Sequence, residues 1–185
     1  MREKDIVIYD AKEKTYTKII KPKLKKQLKY FFRLRRYPGE NINYIANLFR
    51  QNKIKTFDIL EYSKNSVVTS EIEGRILMDE ILVTKDRDKV QILIDKFVDI
   101  VTRIISLGVY YGDFNFGNFI VSNGELYVID LEDYRKDFFT RFRKKSIMKR
   151  LKRQLLEKEK ILEKMNEYFN GKEIYKKIKE RVEKK

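Results

Sequence analysis

The chain has 185 residues, enough for one domain with a sizeable core, and 42% of them are hydrophobic. It has no cysteine and no histidine, which excludes a disulfide framework, Ser-His-Asp and Cys-His nucleophile systems, and every Cys- or His-ligated metal. With 43 Lys and Arg against 28 Asp and Glu, the net charge is +15, which points to anionic partners: nucleic acid, a phosphate-bearing small molecule, or an acidic membrane surface. Chemistry must then run on carboxylates, Lys, Arg, Tyr, hydroxyls or amides, and any metal should be a hard, oxygen-liking ion such as magnesium. No segment approaches the roughly 20 apolar residues of a membrane span. The opening MREKDIVIYD lacks the apolar stretch of a signal peptide, so a cytoplasmic location is expected.

In chain order, IVIYD (residues 6–10) and TYTKIIK (15–21) alternate around the polar AKEK and predict a β-hairpin ended by Pro22. Residues 24–36, LKKQLKYFFRLRR, have helical spacing and a heavily basic face, and Pro38-Gly39 reads as a break. Residues 41–52 predict a helix with Ile42, Ile45, Leu48 and Phe49 on one stripe. TFDILEYS and SVVTSEI are strand candidates joined by a Lys-Asn turn, and Gly74 interrupts the chain before RILMDEIL. Residues 90–107 carry the strongest helical periodicity and predict a central core helix stopped by Gly108. FIVS and ELYVID form strands around Asn123-Gly124, a specific hairpin signal. Beyond Asp137, FFTRFRKKSIMKRLKRQLLEKEKILEKMNEYF reads as one long helix stopped by Asn170-Gly171, followed by a short last helix. The expected class is α+β, with a strand-rich N-terminal part and a helix-rich C-terminal part.

The stretch GDFNFGNF (residues 112–119) sets two glycines, an Asp and an Asn among three phenylalanines in a loop between the core helix and a strand. The phenylalanines are expected to pack. Taken singly, Asp113 is a loop carboxylate, Asn118 a turn residue and Asp130 a strand-end cap. Together they make a different pattern. A short hairpin brings Asn118 and Asp130 to its open end, where an amide oxygen and a carboxylate suit a hard cation completed by phosphate oxygens and water. Asp113 is left to accept a proton from an attacking hydroxyl. Phosphoryl transfer requires this set: a base, oxygen ligands for magnesium, and a Lys on the phosphates.

The run GDFNFGNFIVSNGELYVIDLE resembles the catalytic segment of protein-kinase-like enzymes, and is most similar to the bacterial kinases of the lipopolysaccharide inner core, the heptose kinases of the heptose(II) kinase type. The resemblance implies a two-lobed fold, with a small strand-rich N-lobe over residues 1–70, a hinge at 71–75 and a helical C-lobe over 76–185. It implies Asp113 as catalytic base and Asn118 and Asp130 as magnesium ligands. TKIIKPKLKK resembles the strand that supplies the ATP-phosphate Lys, which implies Lys18, with Lys21 as the rival. Strand alternation puts Tyr16, Lys18 and Ile20 on one face. Glu40 is the only carboxylate near the following helix and is implied as the partner of the Lys, while its place also suits an ordinary first-turn Glu. SVVTSEIEGRIL resembles the hinge, so Glu71 and Ile72 would present backbone groups to adenine.

The sequence departs from the family pattern in several places. Tyr111 and Asn115 stand where relatives often have His, and the last motif reads Asp130-Leu131-Glu132. No Lys follows Asp113 in the loop, and AKEK has no glycine, so its backbone or Lys12 and Lys14 would cover the phosphates.

By this resemblance the protein is an ATP- and Mg2+-dependent kinase of a sugar hydroxyl, with a heptose of the lipopolysaccharide core or another lipid-linked sugar as acceptor. The basic stretches 21–36 and 141–153 would draw it to the inner face of an anionic membrane. The second of these carries Phe138, Phe139, Phe142, Ile147, Met148 and Leu151 between its cations, and reads either as a solvated face or as a membrane-surface helix. Alternatives are a kinase of another small molecule or of a protein Ser/Thr, and a catalytically silent kinase-like scaffold. The segment after Asp130 passes directly into a basic helix, without the A-P-E-like end a protein kinase would show. A nucleic-acid-binding module would explain the charge, but neither an RNP-like nor a helix-turn-helix pattern is present, so no specific nucleic acid is expected.

Overall fold

The computed structural model describes residues 5–21, 24–32, 34–111, 114–137, 140–158 and 160–184. The chain forms two compact units, Met1–Ile72 and Glu73–Lys185.

The first unit is built on a four-stranded antiparallel sheet whose strands, in spatial order, are β1 (Ile6–Asp10), β2 (Thr15–Ile19), β5 (Ser66–Ser70) and β4 (Ile59–Tyr62). Strands β1 (Ile6–Asp10) and β2 (Thr15–Ile19) form the expected hairpin, whose turn is held by the Asp10 carboxylate accepting from the backbone N–H groups of Lys12 and Glu13. Helix α1 (Leu24–Phe31) ends well short of the residue 36 that its periodicity suggested. Helix α2 spans Pro38–Gln51, so Pro38 and Gly39 open the helix where they were expected to break the chain. Proline is pre-organised for the first helical position, where its missing N–H costs nothing. Gly39 is required by close approach: an added Cβ would lie 2.2 Å from the Ser63 carbonyl oxygen. No side chain caps this end; instead the Gly39 N–H donates to the Lys64 carbonyl at 3.0 Å, satisfying one of the orphan donors of the first turn. The buried stripe of α2 is Ile42, Ile45, Ala46 and Phe49, with Leu48 half-buried beside it. The helix packs on β3 (Lys55–Thr56), β4 (Ile59–Tyr62) and β5 (Ser66–Ser70).

In the second unit, β6 (Arg75–Ile76), β7 (Phe119–Ser122) and β8 (Glu125–Val128) pair antiparallel. Asn123 and Gly124 both have positive φ (50° and 74°), the turn that matches the twist of a two-residue hairpin and that glycine adopts without strain. Helix α3 (Leu77–Val83) is followed by α4 (Arg87–Ser106), whose first N–H groups are capped by the Asp86 carboxylate. The α4 residues Phe97, Val98, Val101 and Ile104 are fully buried, each worth about 1.5–3 kcal/mol of transfer free energy. Against α4 pack β8 and α7 (Gly171–Glu183).

The long C-terminal helix expected from the sequence is interrupted. A 3-10 turn (Thr140–Arg143) leads into α5 (Lys144–Arg153), a π-helical stretch (Gln154–Lys158) and α6 (Lys160–Met165). Asn170-Gly171 starts α7 and does not end its predecessor, since the Asn170 side chain accepts from the Glu173 N–H as an N-cap. Ile147 and Leu151 of the basic α5 are buried, and Met148 is half-buried, so of the expected surface aromatics and aliphatics there Phe142 is the exposed one among the described residues. Phe138 and Phe139 lie outside the described residues.

Candidate functional site

The loop between α4 and β7 is anchored by its aromatic residues. Phe116 stacks on Phe97 of α4 (centroids 4.4 Å apart), Phe119 meets the same ring edge-on at 5.0 Å, and Phe114 meets Tyr111 edge-on at 4.9 Å. All are buried, so the phenylalanines of GDFNFGNF pack as expected. Asn115 caps the short 3-10 turn Phe116–Asn118 by accepting from the Gly117 N–H at 2.8 Å. Gly112 and the expected base Asp113 lie outside the described residues. Their flanking residues Tyr111 and Phe114 are each 1% exposed.

The hairpin sets the backbones of Asn118 and Asp130 near each other at its open end. Phe119 pairs with Val128, and one step further out the Ile129 N–H donates to the Asn118 carbonyl at 3.0 Å, which sets Asp130 at the position diagonal to Asn118. The far end is tied to α4, where the Lys96 ammonium donates to the Gly124 carbonyl (2.5 Å) and the Glu125 carboxylate (2.6 Å). Asp130 is exposed and left-handed (φ 57°, ψ 53°), a conformation costing a non-glycine residue on the order of 1 kcal/mol, with Asp among the residues that tolerate it. The strand thus ends in a sharp turn at the carboxylate.

Asn118 is half-buried, and its Nδ2 donates to the Tyr111 hydroxyl. An amide carries its oxygen opposite its nitrogen, so this bond turns Oδ1 away from Tyr111. The Tyr111 ring is itself held by stacking on Tyr134, with centroids 3.7 Å apart and planes 8° from parallel. No cluster of three Asp or Glu that could hold a metal occurs among the described residues. One amide oxygen and one carboxylate fit an ion that keeps water and substrate oxygens in the rest of its shell, as magnesium does, better than one enclosed by protein ligands. Sequence reasoning missed two residues that hold this hairpin: Tyr111, which orients the Asn118 amide, and Lys96, which ties down the far end, each through a side-chain bond that no spacing marks.

The remaining predicted residues belong to the first unit. Lys18 pairs across the sheet with Val67 of β5, and Tyr16 with Thr69. Val67 and Thr69 are buried, as is Ile20, so Lys18 stands half-buried on the inward face of the sheet. Lys21 lies beyond β2, exposed, its N–H donating to the Asp5 carboxylate at 2.9 Å. Glu40 is in the first turn of α2, and no ion pair joins it to Lys18 among the described residues. Glu71 directly follows β5. Its N–H donates to the Lys14 carbonyl at 2.8 Å, and its carboxylate accepts from the Tyr9 hydroxyl at 3.0 Å, a bond that raises the Tyr9 pKa. Ile72 follows, half-buried.

No family model matches the sequence, and no curated protein matches it. Among solved structures, the chain is similar to the Rio2 kinase of Chaetomium thermophilum in its complex with ADP, Mg2+ and phosphoaspartate. The TM-score is 0.53 at 14% identity, over 97% of this chain and 66% of that one. It is also similar to a Mycobacterium tuberculosis protein, Rv3197, solved with erythromycin (TM-score 0.43, 20% identity, 65% of this chain and 40% of that one). A third similar structure is vaccinia related kinase 3 (TM-score 0.43, 12% identity, 92% and 65%). The likeness to Rio2 shows the fold: α+β and protein-kinase-like.

Proposed function

We propose that the protein is an ATP-dependent phosphotransferase acting on a sugar hydroxyl, with a heptose of the lipopolysaccharide inner core as acceptor. The observation that carries the reading is the hydrogen bond from the Ile129 N–H to the Asn118 carbonyl, which extends the hairpin register to Asn118 and leaves the left-handed Asp130 as the next residue of the chain. The kinase-like fold supports it. The choice of acceptor rests on the likeness of the GDFNFGNFIVSNGELYVIDLE run to heptose kinases.

In this mechanism Asn118 and Asp130 would hold magnesium, which when bound supplies positive charge to the phosphate oxygens. Asp113 accepts the acceptor's hydroxyl proton as that oxygen bonds to the γ-phosphorus; the bond to the β,γ-bridging oxygen breaks and ADP leaves. Lys18 contacts the ATP phosphates, a role its half-buried place on the inward sheet face supports over the exposed Lys21. Glu40 would become its partner once α2 is in the nucleotide-bound arrangement. With the Glu71 N–H donated to Lys14, the adenine contacts are the Glu71 carbonyl and the Ile72 backbone.

A membrane-anchored acceptor also suits α1 and the residues after it. Leu28, Phe31, Phe32 and Leu34 are all more than 60% exposed, within a stretch, 21–36, that contains eight Lys and Arg and no acid. No described helix is long and apolar enough to cross a membrane. Peripheral attachment by this basic, apolar segment is the form of membrane association proposed.

The test separates the roles of the carboxylates. Asp113→Ala should lower phosphate transfer by about 10²–10⁴-fold while ATP-Mg affinity stays within a few fold. Asp130→Ala should lose magnesium-dependent nucleotide binding as well. Full transfer activity in both variants would overturn the assignment. Mass spectrometry of core oligosaccharide from cells with and without the protein should show a difference of one phosphate, which checks the acceptor.

A further inference from the structure

Tyr110 sits next to the predicted catalytic loop and is locked in place by an antiparallel bridge to Arg135, with N–H to carbonyl distances of 2.7 and 2.9 Å in the two directions. Its ring is buried at 6% exposure and is surrounded by guanidinium groups. Those of Arg135, Arg143 and Arg150 lie 4.9, 5.3 and 5.5 Å from its centroid. The three come from different places. Arg135 follows Asp130 by five positions, Arg143 ends the 3-10 turn as the N-cap of α5, and Arg150 lies seven residues on, about two turns, which puts it on the same side as Arg143.

Three like charges gathered on one side chain repel, and an aromatic face offsets that only in part. Arg143 and Arg150 are exposed, and no ion pair of either occurs among the described residues, so the usual acidic neighbours of a structural arginine are not seen holding them there. The guanidinium fork matches the paired oxygens of a phosphate, and several forks around one point suit a dianion better than a single carboxylate. Tyr110 precedes Tyr111-Gly112-Asp113, and Arg135 follows the Asp130 turn, so the cluster is built on the same segments as the proposed base and metal ligand.

We propose that Arg135, Arg143 and Arg150 around Tyr110 form a subsite for a phosphate monoester carried by the acceptor. This rests on the kinase reading and narrows it. The acceptor is a sugar that already bears phosphate, so an earlier phosphoryl-transfer step must supply it.

The experiment follows the arginine Nε–H resonances of the full chain during titration with glucose 6-phosphate or glucose at constant ionic strength. Glucose 6-phosphate should shift a small set of arginine signals saturably, and glucose should not. The double variant Arg143→Gln/Arg150→Gln, at exposed positions, should raise the dissociation constant at least tenfold. Lys149→Gln, a neighbouring exposed cation outside the cluster, should leave it within twofold. The subsite is overturned if the double variant binds as the parent does, or if Lys149→Gln loses as much. An ATP-Mg titration of the parent protein separates the two readings. Nucleotide binding without sugar phosphate binding removes the subsite alone. Sugar phosphate binding without nucleotide binding keeps the anion site and removes the kinase reading.

Discussion

Tyr111 occupies a position where relatives often carry His, and its two ends do different work. The ring is held between Tyr134 and Phe114, while the hydroxyl accepts from Asn118 Nδ2 and so fixes which end of the amide a cation would meet. Tyr111→Phe keeps the ring and removes the acceptor. It should cost about 1 kcal/mol of stability and raise severalfold the magnesium concentration needed for half-maximal nucleotide binding. Nucleotide titrations across a magnesium series check this, and an unchanged magnesium dependence would remove the orienting role. Asp130 makes the opposite trade. Its φ of 57° is strained for any residue with a Cβ, so Asp130→Gly should stabilise the protein by up to about 1 kcal/mol while magnesium-dependent nucleotide binding is lost. A melting temperature that rises as binding falls is the result expected of strain kept for function. That Asn118 and Asp130 fall at the open end of one hairpin was legible in the sequence, because a hairpin's register is set by its turn and Asn-Gly announces the turn. The Tyr111 hydroxyl was not, because a tyrosine in an apolar run looks the same whether or not its oxygen is used.

Elements were legible where one local rule acted alone. The alternation of β1 and β2, the Asn123-Gly124 hairpin and the unbroken periodicity of α4 each gave the element that the structure has. Reading failed where a tertiary contact overrode a local preference. Pro38-Gly39 looks like a stop, yet both residues begin α2 because the β4–β5 turn receives the helix end and accepts the Gly39 N–H. The Lys144–Met165 pattern looks continuous, yet π-helical winding at Gln154–Lys158 shifts the buried face by a residue, placing both Gln154 and Leu155 inside. Gly39 gives the clearest test. A methyl group there would meet the backbone oxygens of Ser63 and Ser66 at 2.2 and 2.4 Å, which rotamer changes cannot relieve. Gly39→Ala should therefore destabilise by about 2 kcal/mol, despite alanine's better helix propensity, and lower the melting temperature by about 4–8 °C. A melting temperature equal to or above the parent's would mean that α2 does not dock on that turn as described.

For the whole molecule, charge and hydrophobicity have to be read together. A net charge of +15 alone does not separate a lipid surface from nucleic acid, and acceptor choice is hard to read from sequence because its contacts lie on surface segments free to vary. The structure divides the basic stretches in a way the sequence could not. Around α5, Ile147 and Leu151 turn into the core, leaving a largely solvated cationic face; around α1, Leu28, Phe31, Phe32 and Leu34 stay exposed. Nucleic acid would be met by cations with stacked aromatic platforms, whereas two leucines beside two phenylalanines suit the acyl boundary of a bilayer. Each Lys or Arg brought to an anionic surface contributes about 1 kcal/mol, and a phenylalanine buried there adds about 1.5–3 kcal/mol. The protein should therefore sediment with phosphatidylcholine vesicles that contain phosphatidylglycerol, release as salt rises, and stay in solution with phosphatidylcholine alone. Phe31→Ser/Phe32→Ser leaves the charge intact and removes apolar surface that is already exposed, so it should weaken vesicle binding at least tenfold with little change in melting temperature. If the double variant binds these vesicles as tightly as the parent, charge alone accounts for the attraction and α1 is not an interfacial helix.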